Sequence, residues 1–276
     1  MRIKEKKHVL PKQPFFVLAT QYYSKLMLNK YNISHFYSFH SGQQKDQNLL
    51  VVPDGCADVI FCYKQGKSWG RIYGTVTKSQ PAYEEMRGDF RMFGVRFKPG
   101  IIPFGFELKM ADIVNQYISL EDVVKDKSFV EKMLLARDFG QRLDIFMKYY
   151  LSFYKENTPS LTEYVRREIV DSAGMASIAD IAEETGYSDR HVIREMKKEY
   201  GMTPKQFARI VRYQHLLDHL TLTEDEEIEY AELAVQLGYY DQAHMIKNFK
   251  EYTGMSPRKY LKLMKQEHFS KRLILS

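Results

Sequence analysis

Ser177-Ile-Ala-Asp-Ile-Ala-Glu-Glu-Thr-Gly-Tyr-Ser188 returns later in the chain, in altered form, as Glu229-Tyr-Ala-Glu-Leu-Ala-Val-Gln-Leu-Gly-Tyr-Tyr240. Gly201-Met-Thr-Pro204 likewise returns as Gly254-Met-Ser-Pro257. The offset is 52 residues at the glycines Gly186 and Gly238 and 53 from Gly201 onward, so one extra residue enters the second copy just after its turn. A repeat of this kind marks one supersecondary unit used twice.

Each copy spells out a short helix, a tight turn and a second helix. Ile178, Ile181 and Ala182 stand at i, i+3 and i+4, one face of a helix. Gly186 follows where the chain must reverse and can use a positive φ. Ser188 is placed to cap the next helix, its hydroxyl accepting from a first-turn amide. Val192 and Met196 share the inward face of that helix, and Arg190, Arg194 and Lys197 share the opposite one. Gly201 ends it, and Pro204 fits the first turn of another. In the second copy Met245 and Phe249 take the inward face, with Ala243, Lys247 and Lys250 outward. This is the helix-turn-helix pattern, whose second helix lies in the major groove of DNA. One such hairpin is most often structural; two matched copies with matched cations point to DNA.

Residues from about 160 to 266 resemble the two-helix-turn-helix domain of AraC-type transcriptional regulators. The match is carried by Ile181-Ala182, Gly186-Tyr187-Ser188, Arg194, Met196-Lys197, Gly201-Met-Thr-Pro-Lys-Gln-Phe207, Arg212, Leu233-Ala234, Gly238-Tyr239, Phe249-Lys250 and Gly254-Met-Ser-Pro-Arg-Lys-Tyr260. The resemblance implies that both recognition helices of one chain enter successive major grooves on one face of the duplex. It implies base-reaching residues at Arg190, Ile193 and Arg194 in the first helix and at Gln242, Ala243, Ile246 and Lys247 in the second. Lys197 and Lys250 complete the expected DNA-binding set. Met196 departs from the family's usual Phe, and Ala243 stands where a polar reader is common, so the second helix is expected to position the protein more than it reads bases. The segments Val52-Pro-Asp-Gly-Cys-Ala-Asp-Val-Ile-Phe61 and Phe93-Gly-Val-Arg-Phe-Lys-Pro-Gly100 are similar to an uncharacterised, sensor-like domain that precedes some regions of this type.

With 276 residues the chain has the length of two domains, and 44% hydrophobic against 28% charged residues is an ordinary globular composition. No apolar run is long enough to span a bilayer and the N-terminus lacks a signal-peptide core, so the expected location is the cytoplasm. The net charge of +6 is unevenly placed: residues 1–157 carry +8 and residues 158–276 carry −2. Local sorting restores the DNA argument, because residues 241–265 hold six cations against two acids. Glu224-Asp-Glu-Glu227, with Glu229 and Glu232, forms an acidic patch that must face away from the duplex if lysines and arginines are to meet phosphates.

Read in order, residues 1–12 form a basic, fraying terminus. Val17–Lys30 is expected to be a helix, from Leu, Met and Tyr at helical spacing. Tyr31–His40 alternates as a strand, and a polar loop follows over Gly42–Asn48. Leu49–Val52 and Val59–Tyr63 are strands around a Pro53-Asp-Gly55 turn, and Ser68–Thr77 and Phe90–Phe97 add two more. The expected fold is α+β: a β-rich sensor-like domain over 1–118, a small barrel or sandwich with helices. A helical linker and candidate dimerisation region follows over 119–157. The last domain, 158–276, is all-α, with helix-turn-helix motifs at about 177–200 and 229–253. The Phe129 to Leu151 stripe predicts a long helix or a helix pair, either a dimer face or a seam between domains. Asn157-Thr-Pro-Ser160 is a linker, with Ser160 or Thr162 capping a helix over Leu161–Val170. A longer helix, Pro204–Leu220, joins the copies with Phe207, Ile210, Val211, Gln214 and Leu217 inward. On it, Arg212 is balanced between a phosphate contact and a salt bridge to the acidic patch.

Cys56 and Cys62 are the only cysteines and lack metal-ligand spacing; Cys62 shares a strand face with Ile60 and reads as a small core residue. No metal, cofactor or catalytic residue is expected. Asp54 precedes Gly55 and is first a turn residue, and no nucleophile with a positioned base is assembled. Trp69, Tyr73, Tyr83, Phe93 and Phe97 suit core packing better than a ligand pocket. The reading is a DNA-binding regulator and not an enzyme, with double-stranded DNA as partner. A small-molecule effector, RNA polymerase and a second copy of the chain are further candidate partners. The alternatives are a small barrel enzyme or isomerase fused to a DNA-targeting module, and a nucleoid-type binder without an effector. A polar cluster inside a pocket of the N-terminal half would favour the enzyme.

Overall fold

The aromatic alternation of the N-terminal half builds a sheet whose two faces are both covered. The computed structural model describes residues 12–20, 22–42, 49–82, 84–86, 88–155, 160–223 and 228–275. In order, the N-terminal elements are α1 (Pro14–Leu18), β1 (Tyr23–Met27), β2 (Ile33–His40), β3 (Leu50–Val51), β4 (Asp58–Tyr63), β5 (Trp69–Tyr73), β6 (Gln80–Pro81), β7 (Arg91–Phe97), α2 (Met110–Ile113), β8 (Tyr117–Ser119), α3 (Leu120–Val123), α4 (Ser128–Leu135) and α5 (Phe139–Phe153). The rest of the chain gives α6 (Leu161–Asp171), α7 (Ile178–Thr185), α8 (Asp189–Tyr200), α9 (Pro204–Leu222), α10 (Tyr230–Gln236), α11 (Gln242–Thr253), α12 (Pro257–Gln266), α13 (Phe269–Arg272) and a last strand, β9 (Leu273–Leu275). Seven strands form one sheet in the order β8-β5-β4-β7-β2-β1-β9, and β3 with β6 makes a second, two-stranded one. The β-rich N-terminal and helical C-terminal classes stand as expected.

Because side chains alternate across a strand, one face of the sheet presents Phe36, Phe61, Phe93 and Phe97. These rings meet Phe129, Phe139, Phe146 and Tyr150 of α4 and α5 in edge and tilted contacts. The stripe from Phe129 to Leu151 is therefore a helix pair, and it closes the N-terminal core. Phe93 and Phe97, fully buried there, are core residues. The other face carries Tyr23, Tyr37, Phe39, Asp58, Ile60, Tyr73 and Arg96, and much of it looks toward α1 and the C-terminal helices. Gly94 lies opposite Tyr37 across β2 and β7. A Cβ there would sit inside the Tyr37 ring, so only glycine lets the ring lie across the strand.

Two expectations are corrected. Val17–Lys30 is not one helix: α1 stops at Leu18, and Tyr23–Met27 pairs antiparallel with β2 and parallel with β9 from the far end of the chain. The residues after Arg272 likewise leave the all-helical pattern, as β9. Arg272 fastens that return, its Nη1 donating to the Leu18 carbonyl at 2.6 Å and the Thr20 carbonyl at 2.9 Å. The polar loop at 43–48, the linker at 157–159, Tyr83, most of the basic terminus and Glu224–Glu227 lie outside the described residues. Ser160 does cap α6, its hydroxyl accepting from the Glu163 amide. No helix among the described residues is long and apolar enough to cross a membrane.

Overpacking a close-packed core costs about 1–3 kcal/mol. Gly94→Ala is therefore expected to lower stability by about that amount in denaturant melts; an unchanged midpoint would show that Tyr37 is not held against the strand.

Candidate nucleic-acid interface

Local chemistry sets both helix-turn-helix units. Ser177 caps α7, Ser188 caps α8 and Asp241 caps α11, each side-chain oxygen accepting from the amide three residues on. Gly186, Gly201, Gly238 and Gly254 all take the left-handed conformation at the turns. The extra residue of the second copy falls between Gly238 and the Asp241 cap. Val192 and Met196 of α8, and Met245 and Phe249 of α11, are fully buried.

That burial leaves the opposite faces open. Arg190, Ile193, Arg194 and Lys197 are exposed on α8; Gln242, Ala243, Lys247 and Lys250 are exposed on α11, and Ile246 is half-buried. The expected site residues thus form one face on each recognition helix. Arg194 is held locally, with Nε to Glu195 at 3.1 Å and Nη2 to His191 Nδ1 at 2.7 Å. Tyr187 stacks on the same His191 at 4.6 Å. These exposed tethers are weak in water and can exchange for a duplex.

α9 is the spine between the units. Its Phe207 meets Tyr200 of the first unit at 6.2 Å, while Tyr213 meets Phe249 at 5.8 Å and Tyr252 at 4.9 Å in the second. A cleft of ≈ 560 Å³ separates the two units and is lined by Lys205, Arg209 and Arg212 of α9 with His244 and Lys247 of α11. The stripe at 205, 209 and 212 was readable as i, i+4, i+7 on one helix face, but the sequence reading singled out Arg212 alone.

Arg212 makes two contacts besides the roles expected of it. Its Nη2 donates to the Gly174 carbonyl at 2.6 Å, and its guanidinium sits 5.5 Å from the Tyr239 ring centroid. Gly174 ends the first unit's entry and Tyr239 lies in the turn of the second, so Arg212 ties the units to each other. Burial pushes its pKa down from the usual arginine value.

This arrangement is a bipartite helix-turn-helix fold with two outward recognition faces. Residues 162–263 match the family model described as a helix-turn-helix domain, and residues 26–119 match one described as a domain of unknown function (DUF6597). The chain carries an AraC-type helix-turn-helix domain at its C-terminal end. Uncharacterised HTH-type transcriptional regulators of Staphylococcus aureus strains MSSA476 and MRSA252 are each 29% identical to it over 84 residues, 30% of this chain and 11% of the relative. The chain thus covers about a tenth of the length of those relatives. Among solved structures, ToxT from Vibrio cholerae O395 aligns with 85% of this chain and 99% of its own at 12% identity and a TM-score of 0.42. The C-terminal domain of AraT, a response regulator from Geobacillus stearothermophilus, aligns with 40% of this chain and 88% of its own at 23% identity and a TM-score of 0.35.

A charged hydrogen bond is worth about 1.5–3 kcal/mol. Arg212→Ala is expected to destabilise the fold by about 1–3 kcal/mol in thermal melts and to loosen Tyr239 in amide exchange; a loss confined to DNA affinity with an unchanged melt would return Arg212 to a phosphate role.

Proposed function

We propose that the protein is a sequence-specific transcription regulator whose α8 and α11 enter successive major grooves of double-stranded DNA, with the N-terminal half adjusting their placement. Arg190 and Arg194 reach base edges in the first groove, and Lys247 with Gln242 reaches the second, about one helical turn or ~34 Å along. Ile193, Ala243 and Ile246 supply apolar contact. Lys197 and Lys250, with the Lys205 and Arg209 stripe, meet phosphates.

The observation that carries the regulatory half is Gln214. This α9 side chain is 1% exposed, and its amide donates to the Pro53 carbonyl at 2.7 Å while accepting from the Lys12 amide at 2.8 Å. Gly55 of the same turn lies against Phe207, so close that a Cβ would stand 3.0 Å from the ring. At the first recognition helix, α2 packs under the end of α8, with Ala111 and Val114 against Gly201 and Lys109 Nζ 3.1 Å from Glu199. A shift of the Pro53–Cys56 turn therefore acts on α9, the spine of both units, and a shift of α2 acts on α8, which carries a reading face. A small effector, a second copy of the chain and RNA polymerase are the partners such a device would answer to.

The enzyme reading is favoured by one feature, a cluster of Asp54, Asp58 and Arg96 inside a cavity of the N-terminal half. Those groups are tied to one another, and the adjacent Cys56 thiol is pushed well up by burial and by Asp54, which makes it a poor nucleophile. The nucleoid-type alternative differs in sequence discrimination and salt response.

On a duplex recovered by selection from a random pool, Arg194→Ala is expected to erase about 1–3 kcal/mol of preference at one base pair. Lys197→Ala should instead weaken all sequences alike and lower the salt slope by about one. Fluorescence anisotropy across single-base variants and salt checks this, and equal, uniform losses in both would overturn the assigned roles.

A further inference from the structure

Asp54, of the same Pro53–Cys56 turn that contacts α9, lines a cavity of ≈ 50 Å³ at the sheet. One buried water needs about 10–15 Å³ of such space, so the cavity holds a ligand of only a few heavy atoms. Its wall is of two kinds. Tyr23, Tyr37, Tyr73 and Ile60 supply rings and an apolar side; Asp54, Asp58 and Arg96 supply charge. All three charged groups are nearly fully buried.

Their bonding decides which ligand fits. Arg96 Nε donates to both oxygens of Asp58 at 3.0 and 3.2 Å, Nη2 to Oδ2 at 2.8 Å, and Nη1 stands 3.1 Å from Asp54 Oδ2. The guanidinium is thus committed to carboxylates already. An anion entering here would have to displace one of them and face the other at low dielectric. Two carboxylates against one guanidinium leave the lining one negative charge in excess. Nearby cations do not cancel it from within: Lys12 pairs with Asp218 at 2.6 Å, and Lys25 does not line the cavity. Asp54 also accepts from Gln13 Nε2 at 2.8 Å and from the Cys56 amide at 3.0 Å, neutral donors that leave its charge uncancelled. Burial pushes its carboxyl up despite Arg96, and a cation bound beside it would hold it ionised. Tyrosine rings add attraction for a cation, as in aromatic cages for ammonium groups.

We propose that this cavity binds a small organic cation, an alkylammonium of a few heavy atoms, against Asp54 and the tyrosines. Its regulatory consequence rests on the reading above, because Asp54 sits between Pro53, which Gln214 holds, and Gly55, which touches Phe207. Thr75 Oγ1 accepts from the Gly55 amide at 2.9 Å, and the neighbouring Gly74 backs directly onto the Ile113 carbonyl of α2. A filled cavity would brace both the turn beneath α9 and the helix beneath α8.

The test uses the full chain with isopropylammonium, its neutral isostere 2-propanol, and isobutyrate, read by saturation-transfer NMR and by thermal shift. Isopropylammonium is expected to bind at least about tenfold more tightly than 2-propanol, a difference of about 1.4 kcal/mol, with isobutyrate not binding. Asp54→Asn, its folding checked by circular dichroism, should remove the preference for charge while keeping weak binding of 2-propanol. Equal binding of cation and alcohol by the unaltered chain, or binding of isobutyrate, would overturn the proposal without reference to any variant. DNA affinity measured with and without the cation bears separately on regulation: a cation that binds yet leaves DNA affinity unchanged keeps the site and refutes its link to α9.

Discussion

The amide of Gln214 is the contact on which the two halves of this protein depend. Buried amides must place both donor and acceptor, and Gln214 places them on the backbone at Pro53 and Lys12, not within its own domain. The residue lies in the middle of α9, the helix that packs into both helix-turn-helix units. The N-terminal turn and the two recognition helices are therefore parts of one mechanical unit. Lys12 with Asp218, Arg166 donating to the Pro99 carbonyl at 3.1 Å, and β9 returning to β1 add fastenings around it.

Such a frame suits a device that must hold two helices one DNA turn apart. Recognition faces are useless if their spacing drifts, and spacing here is fixed from inside by Tyr213, Phe207 and Arg212. From outside it is touched by the Pro53–Cys56 turn and α2, the contacts through which the proposed regulation would work. The cavity is lined by Asp54 of that turn and by Gly74, which backs onto α2, so the proposed ligand would act on the helices through backbone already in contact with them. Charge enters the same way: bulk charge in the C-terminal half is negative, but the cations that matter are sorted onto α8, α11 and one stripe of α9.

What could be read from the sequence was local. Helix periodicity, the serine and aspartate caps and the left-handed glycines define each unit within a few residues, which is why α7, α8, α10 and α11 fell where expected and Arg190, Arg194 and Lys247 point outward. Tyr23–Met27 failed for the opposite reason: Lys, Leu and Met favour a helix, and the segment is a strand because β2 and β9 flank it, the latter some 250 residues away. Arg212 was placed on the right helix, but its partners, a backbone carbonyl and the Tyr239 ring, exist only once the units dock. Asp54 was legible as a turn residue, and it is one, its Oδ1 accepting from the Cys56 amide at 3.0 Å. Its second role needed the register that sets Asp58 opposite Arg96. Of the aromatic residues weighed for a pocket, Tyr73 alone among those described lines it.

The most direct test of a regulator that reads two grooves from one rigid chain is spacing. Binding should be measured on the selected duplex with its two elements about 10 base pairs apart, and again after inserting about half a helical turn between them. Linked reading predicts a loss on the order of 10²-fold, down to the affinity of one element alone. Unchanged affinity at both spacings would mean that only one recognition helix reads DNA, and would contradict the account built on α9.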